Sequence, residues 1–137
     1  MIIYKVIFLL LVSLSLFAED SSIESAMKYY TQETLYQHKQ LIEKLKKEAL
    51  EGSIDAAFLL ASAYKNNLLE TSKKDNALRW YLVAAEHNDY ESMLMIGWIY
   101  YEGNSYQSKN EQKALYWFKE AANHGVVEAI EMLHLLE

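Results

Sequence analysis

From Ile23 onward, apolar side chains recur at three- and four-residue spacings, and the faces they define return one period later. Ala57, Leu60, Ala61 and Tyr64 share one helical face, and Met93, Ile96, Gly97 and Tyr100 repeat it, predicting helices over 55–65 and 91–102. A second helix follows each of them. Ala77, Trp80, Tyr81, Ala84 and Ala85, within 75–86, match Ala114, Trp117, Phe118, Ala121 and Ala122, within 111–123. A period of roughly 37 residues belongs to repeat architectures, in which one helix pair cannot bury its apolar face alone and must stack on a neighbour. The pattern therefore predicts an all-α solenoid of antiparallel helix pairs. Trp80, Tyr81, Trp117 and Phe118 are expected in its core.

The polar and small residues between these runs agree. There is no proline, and Gly52, Asn88 and Gly125 stand in equivalent slots just after apolar runs. A left-handed residue ends a helix there most cheaply when it is glycine or asparagine. Gly103 is expected to open a longer loop inside the second unit. Gly97 lies within a helix, where it costs about 1 kcal/mol relative to alanine, and so predicts the close approach of another helix. Ser72-Lys73-Lys74-Asp75 and Ser108-Lys109-Asn110-Glu111 each place an acid three residues after a serine, the spelling of a capping box, with Asn110 as an alternative cap. Upstream, Lys39 to Leu50 reads as a capping helix. Ser22 to Gln37 is helix-compatible, with Ile23, Ala26, Met27 and Tyr30 on one face, and open to running into the next helix without a break. Downstream, 127–137 begins a third unit.

The first residues follow another logic. Lys5 precedes an apolar run from Val6 to Phe17, and Ala18 stands before Glu19-Asp20. This is the layout of a secretory signal peptide cleaved after Ala18, with an uncleaved anchor as the alternative, although the run is shorter than the roughly 20 residues needed to span a bilayer. The expected organisation is a signal peptide at 1–18, a helical cap at 19–50 and repeats at 51–137, divided near 52–87, 88–124 and a partial 125–137. Export would place the chain in the periplasm or outside the cell, free of the membrane once the leader is removed. No cysteine follows the run, which excludes a bacterial lipoprotein anchor, thiol catalysis and zinc-thiolate sites. The net charge is −6, with 13 basic and 19 acidic side chains, and no basic cluster tracks a phosphate backbone, so nucleic acid is not the expected partner.

These residues resemble the Sel-1-like repeat family, a relative of the tetratricopeptide repeats. The second unit carries its pattern as Ser92, Ile96-Gly97, Tyr100, Gly103, Lys113-Ala114, Trp117-Phe118, Ala121-Ala122 and Gly125. The first carries Ala56, Leu60-Ala61, Tyr64, Asn76-Ala77, Trp80-Tyr81, Ala84-Ala85 and Asn88, with Asn66-Asn67 in place of the loop glycine; in the partial third unit His134 stands at the helix glycine slot. The resemblance implies a right-handed superhelix serving as an interaction scaffold, often in exported or signalling proteins, with no catalytic residues and no cofactor.

A scaffold of this kind binds through the stripe its first helices leave outside the core. Superposing the units aligns Leu59, Met95 and Met132 in one row and Ser62, Trp98 and Leu135 in the next. Leu59, Met95, Trp98, Met132 and Leu135 are the candidate contacts for a protein or peptide partner, with Trp98 as anchor. The competing assignment is that they are core, covered by the preceding helix or the N-terminal segment. Ser25 with Lys28 and Ser62 with Lys65 spell S-x-x-K, the serine-nucleophile arrangement of penicillin-recognising enzymes, but the companion S-D-N and K-T-G elements are missing. Some Sel-1-like repeat proteins have been described as such hydrolases, which makes hydrolysis the enzyme alternative; self-association through the ends of the stack is the structural one. His87 and His124 fall at the ends of second helices, where capping is the expected role. Glu131 with His134 lacks the ligands of a closed metal site.

Overall fold

The computed structural model describes residues 21–72 and 76–136. Seven α-helices are formed among them: α1 (Ser21–Thr31), α2 (Lys39–Leu50), α3 (Ile54–Lys65), α4 (Ala77–Glu86), α5 (Tyr90–Glu102), α6 (Glu111–Asn123) and α7 (Val127–Leu136). Each of α2 to α6 packs against the next helix in the chain, and α2 also reaches α4, which yields a solenoid of antiparallel pairs. The expected signal peptide lies outside the described residues. Among those described, no helix is long and apolar enough to cross a membrane.

One device makes most of the corners. After α2, Gly52 N–H donates to Ala49 and Ser53 N–H to Glu48, with Gly52 at φ 106°. After α4, Asn88 N–H reaches Ala85 and Asp89 N–H reaches Ala84, with Asn88 at φ 64°. Gly125 and Val126 repeat the pattern after α6. These are Schellman closures, which satisfy the last carbonyls of a helix through a left-handed residue. At the first two corners the next residue already caps the following helix: Ser53 Oγ accepts from Ala56 N–H, and Asp89 carboxylate from Ser92 N–H. The chain thus reverses within a few residues and presses consecutive helices together.

Two local expectations are corrected. Ser22 to Gln37 does not run on into the next helix: α1 stops at Thr31, Glu33 takes φ 56° in a Schellman closure of its own, and a 3-10 turn at Leu35–Gln37 leads into α2. Leu35 is fully buried there, so packing holds a corner that composition does not announce. The second helices are not started by serine capping boxes. Asn76 and Asn110 are the N-caps, accepting from the backbone N–H of Arg79 and Lys113, because an asparagine side chain bridges that short distance directly.

The core is a seam of small and aromatic side chains. Trp80, Tyr81 and Phe118 are fully buried among Leu45, Ala49, Leu60, Ala84 and Ile96. Trp117 departs from expectation. It is only half-buried, with Tyr116 edge-on at 5.3 Å, while its counterpart Trp80 is enclosed. Helix α2 packs on Trp80's helix, whereas among the described residues α4, its equivalent one unit later, makes no comparable contact with α6. Gly97 meets its prediction: a Cβ there would come within 2.5 Å of the Phe118 ring, so the α5–α6 approach depends on the missing side chain.

Candidate functional site

The first helix of each unit leaves part of its surface outside the core, and hollows open along it, among them one at α3 and one at α5. The first has a volume of about 570 Å³ and lies where α1 crosses α3. Ile23 and Met27 of α1 face Phe58 and Leu59 of α3 across it. Asp55 in the first turn of α3, and Asp89 and Glu91 at the start of α5, add carboxylates to its lining. Among the described residues no lysine, arginine or histidine joins them. At the polar end, Ser62 Oγ lies 3.5 Å from the Tyr81 hydroxyl, and the Tyr30 hydroxyl accepts from the Asn66 side-chain amide. Burial pushes the Tyr81 phenol above its ordinary pKa; the hydrogen bond to Ser62 opposes this, and the nearby Tyr30 and Asp89 reinforce it.

A second hollow, about 350 Å³, is bounded by Met95, Trp98, Ile99 and Glu102 of α5, with Lys65 on one side and Glu128 of α7 on the other. Trp98 is half-buried and well held. Its ring stands edge-on to Phe118 at 5.6 Å and to Tyr101 at 5.7 Å, and its indole N–H donates to Glu128 Oε1 at 2.9 Å.

The candidate contacts are distributed unevenly over this surface. Leu59, 5% exposed, forms part of the floor of the first hollow, and Met95 with Trp98 lines the second. Met132 is buried in the core. Leu135 is 78% exposed and lines neither hollow. The five therefore do not form one continuous band. Sequence reasoning missed the first hollow, although a signal for it exists in the repeat. Ser62 occupies the slot that holds Trp98 one unit later, so a large ring is replaced by a hydroxymethyl group and space opens in front of Phe58 and Leu59.

The other candidates have structural surroundings. Ser62 and Lys65 belong to different hollows, and Ser62 Oγ faces the Tyr81 hydroxyl. In the other S-x-x-K, the Lys28 ammonium sits 6.0 Å from the Tyr29 ring. His87 and His124 are the C-cap residues of α4 and α6, as their positions suggested. His124 also stacks flat on Tyr90 at 4.0 Å, and the His87 ring covers Gly52. Among the described residues no group of three histidine, aspartate or glutamate side chains is placed to hold a metal ion.

The family model described as Sel1 repeat matches residues 54–89 and 91–126, which together make up more than half of the chain. Among solved structures, the chain is similar to that described as a Sel1 repeat protein from Oxalobacter formigenes, with 22% identity and a TM-score of 0.41. The likeness covers 79% of this chain, which spans 62% of that one. No curated protein matches.

Proposed function

The chain belongs to the Sel1 repeat family, whose repeats suggest a protein–protein interaction module, and from that premise we propose that it is an exported scaffold holding a protein or peptide partner on its first-helix surface. The observation that carries the reading is the pair of hollows along α3 and α5, partly apolar and edged with carboxylates, on the side where the units leave their first helices uncovered. Partner affinity in such an interface comes from a few buried anchors, and the charged rim governs selectivity and encounter. Trp98 is well suited as an anchor, since the edge-on contact with Phe118 and the bond to Glu128 fix its ring before a partner arrives. Export rests on Lys5 and the apolar run from Val6 to Phe17. In this reading the chain acts from the periplasm or outside the cell, with Leu59, Met95 and Trp98 closest to the bound partner.

Photo-crosslinking residues placed at Met27, Met95 or Trp98, and at Tyr116 or Lys113 as second-helix controls, test the surface. Discrete adducts in the native compartment from the first-helix positions alone are expected. Equal adducts from both surfaces, or none from either, overturn the assignment. Fractionation, with sequencing of the mature amino terminus, tests export: residence in the cytosol with Met1 to Ala18 retained refutes it.

A further inference from the structure

We propose that the hollow between α1 and α3 takes a protein segment in which a bulky apolar side chain is flanked by lysine or arginine. This rests on the interaction reading and names the partner's chemistry at one site. The floor and walls supplied by Ile23, Met27, Phe58 and Leu59 are apolar, and a cavity of about 570 Å³ holds a large side chain with room for its neighbours. Water in an apolar hollow is released favourably when an apolar group replaces it. Aliphatic or aromatic character in the ligand follows.

The charge of the flanks follows from the carboxylates. Asp55, Asp89 and Glu91 are all at the starts of helices, and among the described residues no cationic side chain lines the hollow to balance them. An acidic segment would be repelled by three like charges at once, whereas a basic one gains from all three. The second hollow differs, since Lys65 stands in it with Glu102 and Glu128 and its field is mixed. Selectivity for basic flanks is therefore a property of the α1 site.

The repeat itself shows why this hollow is open. Ser62 sits where the next unit has Trp98, and the frame around that slot already accommodates an indole in α5. Ser62→Trp is thus a plug suggested by the protein's own second unit. The charges can also be removed without unfolding the corner, because Asp89→Asn keeps a good N-cap for α5.

The test is calorimetric titration of the mature chain with a synthetic dodecapeptide carrying a central phenylalanine, two leucines and four flanking arginines. Two control peptides replace the arginines with glutamate or the apolar residues with serine. The arginine peptide is expected to bind at least tenfold more tightly than either control and to weaken as salt is raised. The combined Asp55→Asn, Asp89→Asn, Glu91→Gln variant should lose tenfold or more in affinity, and Ser62→Trp should abolish binding while the helical circular dichroism spectrum is kept. Met27→Arg, at a position 47% exposed, is a second blocking variant that brings a competing cation without touching the Ser62–Tyr81 contact. Equal binding of the glutamate peptide, binding that survives both blocking variants, or no binding of the arginine peptide at millimolar concentration overturns the proposal. If first-helix crosslinks persist while these peptides fail, the scaffold reading stands and this site assignment falls.

Discussion

Gly97→Ala tests the α5–α6 seam on which Trp98 rests. An added Cβ would lie 2.5 Å from Phe118 Cε1 and 2.6 Å from Cδ1, against a ring that is fully buried and has Trp98 edge-on to it at 5.6 Å. Alanine gains about 1 kcal/mol of intrinsic helix preference over glycine. Forcing a methyl group into a packed core costs about 1–3 kcal/mol. The first unit narrows that range: Ala61 and Tyr81 stand at the slots of Gly97 and Phe118, both buried, so a seam one methyl wider can be built. Rebuilding it in the second unit requires α6 to move and Trp98 to follow. The expected net loss is about 1 kcal/mol, or ~2–8 °C in Tm for a domain of this size. Urea unfolding followed by circular dichroism measures it, with Trp98 fluorescence in a Trp80→Phe, Trp117→Phe background reporting the displaced ring. Adding Phe118→Leu should relieve the clash and show a favourable coupling of about 0.5–3 kcal/mol in the double-mutant cycle. A Gly97→Ala protein as stable as the parent, or a cycle with no coupling, refutes the close-approach argument.

Other substitutions probe separate parts of the frame. Ser92→Ala should stabilise the fold by about 1 kcal/mol in chemical denaturation, because the Ser92 hydroxyl is buried with no hydrogen-bond partner, and Ala56 and Ala129 fill the same slot in the neighbouring units; a loss of stability would show that the hydroxyl is satisfied after all. Asp89→Ala should cost about 1 kcal/mol and Asp89→Asn almost nothing, and equal costs would deny Asp89 its capping role. With the Tyr81 phenol held above its ordinary 10.0 by burial, the unfolded chain releases that proton first, so the contribution is intact below pH 10 and declines as pH rises towards the folded value; Tyr81→Phe should soften the alkaline loss of stability, and an unchanged pH profile would contradict this. Finally, the protein should not turn over a penicillin-type reporter, and turnover abolished by Ser62→Ala would replace the scaffold reading with the hydrolase one.

Much of this architecture is legible in the chain because repetition makes each local signal appear twice. Trp80 and Trp117, the double alanines, and the Gly52, Asn88 and Gly125 slots fix helix pairs and corners before any coordinates are known. Local choices misread from sequence were those with two nearly equal solutions. Ser108 and Asn110 both offer a cap, and geometry selects the side chain nearest the free N–H of Lys113. Glu33 carries no sign of a left-handed corner, because what stabilises that turn is the tertiary burial of Leu35 rather than a local preference of Glu33. The hollow beside α1 is a tertiary feature of the same kind. Met27 and Phe58 are far apart in the chain, and their joint surface appears only when α1 is laid across α3.

Slots that agree between units and slots that differ do different physical work. Tyr64 and Tyr100 keep the stack closed, as do Ala84 and Ala121, and exchanging them would disturb packing in either unit alike. Ser62 and Trp98 sit on the same frame yet produce an open acidic hollow in one unit and a braced indole in the next. A scaffold built from equivalent units gains selectivity only where equivalence is broken, since identical surfaces would offer a partner several registers of equal energy. The Ser62-to-Trp98 difference removes that degeneracy. A segment bound as proposed would have one place for a buried apolar side chain and another for contact with the indole, which would set both its direction and its register along α3 and α5.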